Sequence, residues 1–180
     1  ILKTRGGISQ VTLSPDGRRL AFTNRRGDHG FIGVYDFETR TVTHPDPSVD
    51  GDSNPVFSPD GSRLAFLREA ANSLRLPFAP VREAEPWSIH SFDFRSGVAR
   101  EVFRADRGRG SAFSGLASPR QILWSADDRL VFPWEKTGWL HLYSVGAAGG
   151  PPLALTAGEF EVEHVSPGPF GTTVVYSSNA

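Results

Sequence analysis

A nine-residue phrase occurs twice in this sequence with a single difference. Residues 58–66 read Ser-Pro-Asp-Gly-Ser-Arg-Leu-Ala-Phe, and residues 14–22 repeat the phrase with Arg18 in place of the second serine. A looser copy starts at Ser125, and a degraded fourth copy is predicted at Ser166-Pro167-Gly168. Self-similarity with a period of roughly 40–50 residues indicates a repeat architecture, in which one supersecondary unit is stacked several times.

Each copy predicts a β-hairpin. Proline sets φ for the second position of a tight turn, and Asp and Gly tolerate the conformations that such a reversal needs. Apolar residues flank the turn, as Leu13 and Leu20 do in the first copy, which is typical of paired strands. A second strand pair is predicted in each of the first three copies, at residues 31–36 and 40–43, 87–94 and 99–103, and 139–145 and 152–155. Four short antiparallel strands per repeat predict the blade of a β-propeller.

The predicted fold class is therefore all-β, a partial β-propeller of four-stranded antiparallel blades. The blades are expected at residues 8–44, 55–103 and 121–155, with an incomplete blade at 161–178. About three and a half blades are fewer than the roughly 4–8 of a closed ring. An open arc exposes apolar sheet faces and an unpaired strand edge, which predicts self-association of the chain. Because the chain opens on Ile1 and has no Met, it is expected to be a piece of a longer protein.

Composition argues against several classes of function. The 19 basic and 20 acidic residues give a net charge of −1, which argues against nucleic acid as a partner. No segment reaches the roughly 18 apolar residues of a membrane span, so no membrane partner is predicted. The chain has no Cys, which excludes disulfides, thiolate metal ligands and cysteine catalysis. No sequence feature indicates a cofactor.

The sequence carries no recognisable catalytic centre. It lacks the G-x-S-x-G nucleophile elbow of α/β-hydrolases, and its five His fall on separate predicted strands and loops. Glu159, Glu161 and Glu163 alternate as carboxylates on one strand face would, but no Asp-rich calcium pattern accompanies them. A solvated strand is the preferred interpretation of these three residues. No catalytic residue and no metal ligand is therefore predicted in this chain.

The third repeat resembles a known family. Residues 137–143, Thr-Gly-Trp-Leu-His-Leu-Tyr, resemble the D-G-(W/Y)-x-H-L-Y strand of the dipeptidyl peptidase IV family of serine peptidases, in the prolyl oligopeptidase clan. Residues 155–162 resemble the L-T-x-G-x-W-E-V segment that follows that strand, in the same order and spacing. The resemblance implies an N-terminal propeller that caps a C-terminal α/β-hydrolase domain, which carries the Ser, Asp and His of the triad and is absent from these 180 residues. That domain and a peptide substrate are the partners it implies.

The sequence departs from this family in one respect. The propeller of the dipeptidyl peptidases carries a pair of Glu that binds the free amine of the substrate, and no adjacent Glu pair occurs here. Acylaminoacyl- or oligopeptidase-like specificity therefore stays open. The function predicted is a non-catalytic propeller segment of a serine peptidase, which caps the active site and gates peptide access. Because the first two repeats are shared with propellers such as TolB, the alternative is an envelope propeller that binds protein partners.

Three candidate peptide contacts lie in the third repeat. Glu135, Trp139 and His141 combine a carboxylate, an indole and an imidazole, and Trp139 and His141 would share one face of a strand, where side chains alternate. The alternative interpretation is that Trp139 and Tyr143 fill the core between blades while His141 makes one buried hydrogen bond.

Two more candidates, Arg68 and Glu69, lie in the second repeat. They stand where the second predicted strand ends and the insertion of residues 69–86 begins. Long loops within compact folds often carry function, but a tolerated surface insertion is the preferred interpretation of residues 69–86. Arg68 and Glu69 are predicted to make polar contacts in the central channel.

Overall fold

A computed structural model describes residues 6–27, 29–71 and 84–180. Within these ranges the chain forms strands, one 3-10 turn at Pro169–Gly171 and no α-helix. The all-β prediction is therefore confirmed. None of the helical structure in these ranges has the length and apolar character needed to cross a membrane.

The strands form four antiparallel groups in the described residues. The first sheet consists of β1 (Gly7–Leu13), β2 (Arg19–Arg26), β3 (His29–Asp36) and β4 (Thr41–Thr43). The second consists of β5 (Gly51–Phe57), β6 (Arg63–Glu69), β7 (Ser88–Asp93) and β8 (Val98–Arg104). The third consists of β9 (Leu123–Trp124), β10 (Arg129–Trp134), β11 (His141–Gly146) and β12 (Leu153–Ala154). A hairpin of β13 (Val162–Pro167) and β14 (Val174–Ser178) follows. The prediction of four-stranded antiparallel sheets is confirmed.

The sheets lie side by side. β1 contacts β5, and β5 contacts β9, so the first strand of each sheet neighbours the first strand of the next. One parallel pair, Gly30 with Gly51, joins the first two sheets. A Cβ atom on Gly30 would lie 3.0 Å from the backbone oxygen of Asp52, so any side chain here would require the two sheets to separate by a few tenths of an ångström.

The turn between the first two strands of each sheet, called a corner below, has the same hydrogen bonds in successive sheets. In the second corner the amide of Ser58 donates to the carbonyl of Arg63 at 2.9 Å, and Ser58 Oγ accepts from the Arg63 amide at 2.9 Å. Asp60 accepts from the Ser62 amide at 3.0 Å, and Gly61 has a φ of 70°. The first corner repeats these contacts: Ser14 N with Arg19 O, Arg19 N with Ser14 Oγ, and Arg18 N with Asp16 Oδ1.

The third and fourth corners depart from this pattern. Asp128, with a φ of 60°, takes the place of the glycine in the third. In the fourth, Ser166 and Pro167 lie within β13, so the predicted location is wrong. The turn is formed two residues later, by residues 168–171. In this turn the amide of Gly168 donates to the carbonyl oxygen of Thr173 at 2.8 Å, and the amide of Gly171 donates to that of Gly168 at 3.3 Å. Gly168 replaces the corner serine, which removes the residue type that identified the other copies.

Apolar side chains fill the space between neighbouring sheets. Between the first two sheets lie Ile32, Val34, Phe57, Leu64 and Phe66. The space between the second and third sheets holds an aromatic cluster, in which the ring centroids of Phe103 and Phe132 are 4.6 Å apart. The members of that cluster are Trp87, Phe103, Phe132, Trp134 and Tyr143. Burying each such side chain stabilises the fold by about 1.5–3 kcal/mol.

The direction of the strands gives the arc two different ends. The first strand of each sheet runs towards its corner, so the corners and the turns between the third and fourth strands lie at one end, the corner end. The second strands run away from it. Their ends, the starts of the third strands and the connections between sheets lie at the opposite end, the loop end. The corner end is made of short repeated turns, whereas the loop end carries every long connection in the described chain.

Candidate functional site

All five candidate residues lie at the loop end. Arg68 and Glu69 terminate β6, Glu135 follows β10, Trp139 lies two residues before β11, and His141 begins β11. The sequence reasoning did not use strand direction to select them. Their common location follows from the antiparallel topology, because the end of each second strand adjoins the start of the third.

Arg68 is held in an ionic network between the first two sheets. Its Nε and Nη2 donate to the two carboxylate oxygens of Asp52 at 2.7 and 2.9 Å. Its Nη1 and Nη2 donate to the side-chain and backbone oxygens of Asp46 at 3.0 and 2.6 Å. The Arg68 side chain is 12% exposed and that of Asp52 is 0% exposed. The planar guanidinium matches carboxylate geometry, and it is turned towards these two aspartates, so contact between Arg68 and a peptide in the channel stays a prediction.

His90 extends this network to β7. Its Nδ1 lies 3.2 Å from Asp46 Oδ2 and its Nε2 lies 3.1 Å from Ser88 Oγ, while its ring stacks on Phe66 with 5.6 Å between centroids. Asp46 has a φ of 48°, a conformation that is strained for any residue with a Cβ atom. The contacts from Arg68 and His90 hold Asp46 in it, and thereby fix the connection between the first two sheets.

The network shifts the pKa values of Asp52 and His90 in opposite directions. Burial raises the pKa of Asp52 to about 6 from 3.8, although the hydrogen bonds and charge of Arg68 oppose this shift, and the negative charges of Asp46 and Asp50 add to it. Burial lowers the pKa of His90, and the positive charge of Arg68 lowers it further. In both cases the low-dielectric surroundings disfavour the charged form. Asp52 is therefore ionised at neutral pH and takes up a proton under mildly acidic conditions.

Glu69 lies beside a polar cavity of about 200 Å³ between the first two sheets. Arg25 and His29 line one side of this cavity, and Asp52 and Glu69 line the other. The insertion that follows Glu69 lies largely outside the described residues, so the structure does not distinguish a surface insertion from a functional loop there.

His141 has a structural environment. It is 2% exposed, its Nδ1 lies 3.1 Å from Thr156 Oγ1, and its Nε2 lies 3.1 Å from the carbonyl oxygen of Gly158. The ring also packs edge-on against Phe160. Both ring nitrogens are thus occupied, one bond more than the alternative interpretation predicted. These bonds attach the segment of residues 156–160 to β11.

Trp139 and Glu135 are accessible at the loop end. Trp139 lies before β11 and is 38% exposed, so it neither shares a strand face with His141 nor fills the core. Tyr143 does lie in the core, at 6% exposed. Glu135 is half-buried in the turn between β10 and β11, where its carbonyl accepts from the Gly138 amide at 3.1 Å. A carboxylate and an indole on one turn can contact a peptide by hydrogen bonding and stacking.

Sequence reasoning missed the residues that hold these candidates in place. Asp46, Asp52 and His90 belong to the Arg68 network. The aspartate-rich stretch at residues 45–54 was a signal for the two aspartates, but no sequence signal pointed to His90. Gly110 was also missed, although its carbonyl accepts hydrogen bonds from the indole nitrogens of both Trp87 and Trp134. Contacts of this kind join residues that are distant in sequence, so periodicity does not reveal them.

The three alternating glutamates do not form a strand face. Only Glu163 lies in β13, which begins at Val162, so Glu159 and Glu161 precede the strand. In the part of the chain that the structure describes, no group of three or more His, Asp or Glu side chains could hold a metal ion.

The sequence is similar to that of a known peptidase. No protein-family model matches the chain. It is 27% identical over 162 residues to probable dipeptidyl-peptidase 5 of Aspergillus flavus, which covers 81% of this chain and 20% of that protein. This chain resembles a dipeptidyl peptidase. The predicted resemblance is thereby confirmed, although the chain spans only about a fifth of the length of the curated relatives it matches.

Solved structures support the propeller fold. TolB from Acinetobacter baumannii superposes with a TM-score of 0.70 at 16% identity, over 97% of this chain and 38% of that one. A putative dipeptidyl aminopeptidase IV from Bacteroides ovatus superposes with a TM-score of 0.68 at 13% identity, over 94% of this chain and 30% of that one. At these identities the likeness concerns the fold alone. It confirms the predicted partial β-propeller.

Proposed function

We propose that this chain is a non-catalytic propeller segment of a serine peptidase, in which the loop end faces the peptide-binding space. The observation that carries the proposal is the similarity to dipeptidyl-peptidase 5 over 81% of the chain. In this proposal the sheets are consecutive blades, with the boundaries 8–44, 55–103, 121–155 and 161–178. Catalysis of acyl transfer by a Ser nucleophile and a His base belongs to an α/β-hydrolase domain outside these residues, which is the proposed partner.

The difference between the two ends supports this orientation. Binding residues are concentrated on loops that a rigid scaffold positions, and the long connections of the described chain lie at the loop end. Trp139 and Glu135 present an indole and a carboxylate there. Aromatic side chains with a partly exposed surface are frequent anchors in recognition. The corner end offers repeated short turns whose polar groups are occupied by their own hydrogen bonds.

The proposal is tested by peptide hydrolysis with the full-length protein. Steady-state kinetics on short chromogenic peptides are expected to give serine-peptidase activity that a serine-directed phosphonate abolishes. Trp139→Ala is expected to raise KM by about tenfold, as loss of an aromatic contact worth about 1.4 kcal/mol would, while kcat changes little.

Two results would contradict the proposal. One is the absence of hydrolysis together with binding of a protein partner, which is the behaviour of the TolB-like alternative. The other is a Trp139→Ala variant whose KM equals that of the parent. Trp124→Ala is the matched control, because Trp124 is partly exposed but lies beside the corner end, and it is expected to leave KM unchanged.

A further inference from the structure

A short segment between the second and third sheets holds two parts of the loop end together. Residues 108–111 follow β8 and are rich in glycine. The carbonyl oxygen of Gly110 accepts hydrogen bonds from Trp87 Nε1 at 3.1 Å and from Trp134 Nε1 at 3.0 Å. Trp87 precedes β7 and Trp134 ends β10, so one carbonyl joins two sheets. Both of its lone pairs are used by buried indoles, whose exposure is 1% and 2%.

The same segment is pressed against the turn between β10 and β11. Gly110 has a φ of 77°, and a Cβ atom there would lie 2.9 Å from the backbone carbon of Glu135 and 3.0 Å from the amide of Lys136. A side chain is excluded on both counts. The Asp106 carboxylate adds an ion pair to Lys136 at 2.8 Å.

On its other side the segment is bound to the end of the insertion in the second sheet. Ser111 is 1% exposed, and its Oγ accepts from the amide of Ala84 at 2.9 Å. Its carbonyl accepts from the amide of Trp87 at 3.3 Å. No hydrogen bond joins residues 84–87 directly to residues 135–138 in the described part of the chain. Both contact the segment of residues 108–111: the insertion end is hydrogen-bonded to Ser111, and the turn is packed against Gly110.

We propose that residues 108–111 couple the end of the insertion (residues 84–87) to the β10–β11 turn (residues 135–138), with Ser111 and Gly110 as positioning residues for Glu135. A change in the position of residues 84–87 moves Ser111, Gly110 follows through the adjacent peptide bond, and the turn that packs on Gly110 moves with it. The coupling is a property of the free protein. Only the use of Glu135 as a peptide contact rests on the proposed function.

Hydrogen exchange in the full-length protein without peptide tests the coupling. Ser111→Ala removes the acceptor for the Ala84 amide and alters no atom of the turn. We expect exchange to rise about tenfold at the amides of Ala84, Glu85 and Trp87 and also at the Gly138 amide, because a lost buried hydrogen bond of about 1.4 kcal/mol raises local opening by that factor. Ser118→Ala is the matched control: Ser118 is a buried serine of the same connection, and its Oγ accepts from the Val165 amide at 2.8 Å.

A second measurement perturbs the β10 side of the segment and follows exchange at the end of the insertion. Coupling is reciprocal, so Trp134→Phe, which removes one donor to Gly110, should raise exchange at Ala84. Trp124→Phe at the corner end should not. Exchange that rises at residues 84–87 alone after Ser111→Ala, or an equal rise at Gly138 after Ser118→Ala, would overturn the proposal. If Ser111→Ala does not fold, an unchanged Ala84 amide in Trp134→Phe overturns it as well.

Discussion

Two arginines of β6 hold the two ends of the second sheet in different ways. At the corner end, Arg63 forms a two-pronged ion pair with Asp128 of the next sheet, with a shortest distance of 2.6 Å and side-chain exposures of 22% and 49%. At the loop end, Arg68 forms a two-pronged ion pair with Asp52, whose side chain is 0% exposed. The geometry is similar, but in the second pair the carboxylate is out of contact with water and the arginine side chain is only 12% exposed. The ends therefore differ in how much of their polar interaction is buried.

The aspartates at the two ends have pKa values shifted in opposite directions, and the causes differ. At the corner end the hydroxyl of Ser58 donates to Asp60, and this bond lowers the pKa of Asp60 to about 2. Hydrogen bonds from the Ser96 amide and hydroxyl lower the pKa of Asp93 in the neighbouring turn. At the loop end, burial raises the pKa of Asp52. Repeated turns thus stabilise their charges, whereas the loop end carries a charge that burial disfavours.

The largest loss of stability is expected from breaking the buried ion pair between Arg68 and Asp52. Arg68→Ala leaves the Asp52 carboxylate buried without a counter-charge and removes both bonds to Asp46. We expect the free energy of unfolding to fall by about 3–5 kcal/mol, as for other buried ion pairs that lose one partner. Urea denaturation of the full-length protein measures this change. A loss below about 1 kcal/mol would mean that water reaches Asp52 and that the two ends are alike.

The pH dependence of stability sharpens the contrast. Because the pKa of Asp52 is higher in the folded than in the unfolded chain, the folded state binds more protons between about pH 4 and 6. The Asp52 contribution to the free energy of unfolding therefore falls as pH rises through this window, by about 2–3 kcal/mol, and is level above it. The lowered pKa of His90 acts in the opposite sense just below pH 6.5.

Comparison with Asp52→Asn isolates this contribution. The variant should lose the fall in stability between pH 4 and 6, whatever its absolute stability. Asp60→Asn is the control at the corner end. Because the pKa of Asp60 is lowered in the folded chain, its contribution is present above about pH 4 and is lost as pH falls towards 2. Identical slopes for Asp52→Asn and the parent would contradict the raised pKa.

Replacing a corner serine should lower the free energy of unfolding by an intermediate amount. Ser58→Ala removes the acceptor for the Arg63 amide and the donor to Asp60. The side chain is 0% exposed, so an amide loses its partner away from water, which costs about 1–2 kcal/mol. Thermal unfolding measures the change. Ser96→Ala is the control, because its hydroxyl also bonds an aspartate but is exposed, and a fall in melting temperature as large as that of Ser58→Ala would contradict the role of burial.

The corners could be predicted from the sequence because their chemistry is local. Ser, Pro, Asp and Gly within four residues define the turn, and the hydrogen bonds of Ser58 close within five residues. The fourth corner was misplaced because Gly168 stands where the other copies have serine. At the loop end only the location of the candidates was predictable. The partners of Arg68 come from 22 and 16 residues earlier, and the exposure of Trp139 depends on where β11 begins, which alternation alone does not determine.

The smallest loss of stability is expected from breaking the exposed ion pair between Arg63 and Asp128. Arg63→Ala removes the ion pair with Asp128 and the contact of the guanidinium with the Trp124 ring, 5.0 Å from its centroid. Solvent screens this pair, so the free energy of unfolding should fall by only about 0–1 kcal/mol, and by less at 1 M salt than at 0.1 M. The same salt comparison should leave the Arg68→Ala effect unchanged, because ions do not reach Asp52. A loss at Arg63 as large as that at Arg68, or one insensitive to salt, would mean that the corner end is also closed to water, as it would be if another part of the protein covers it.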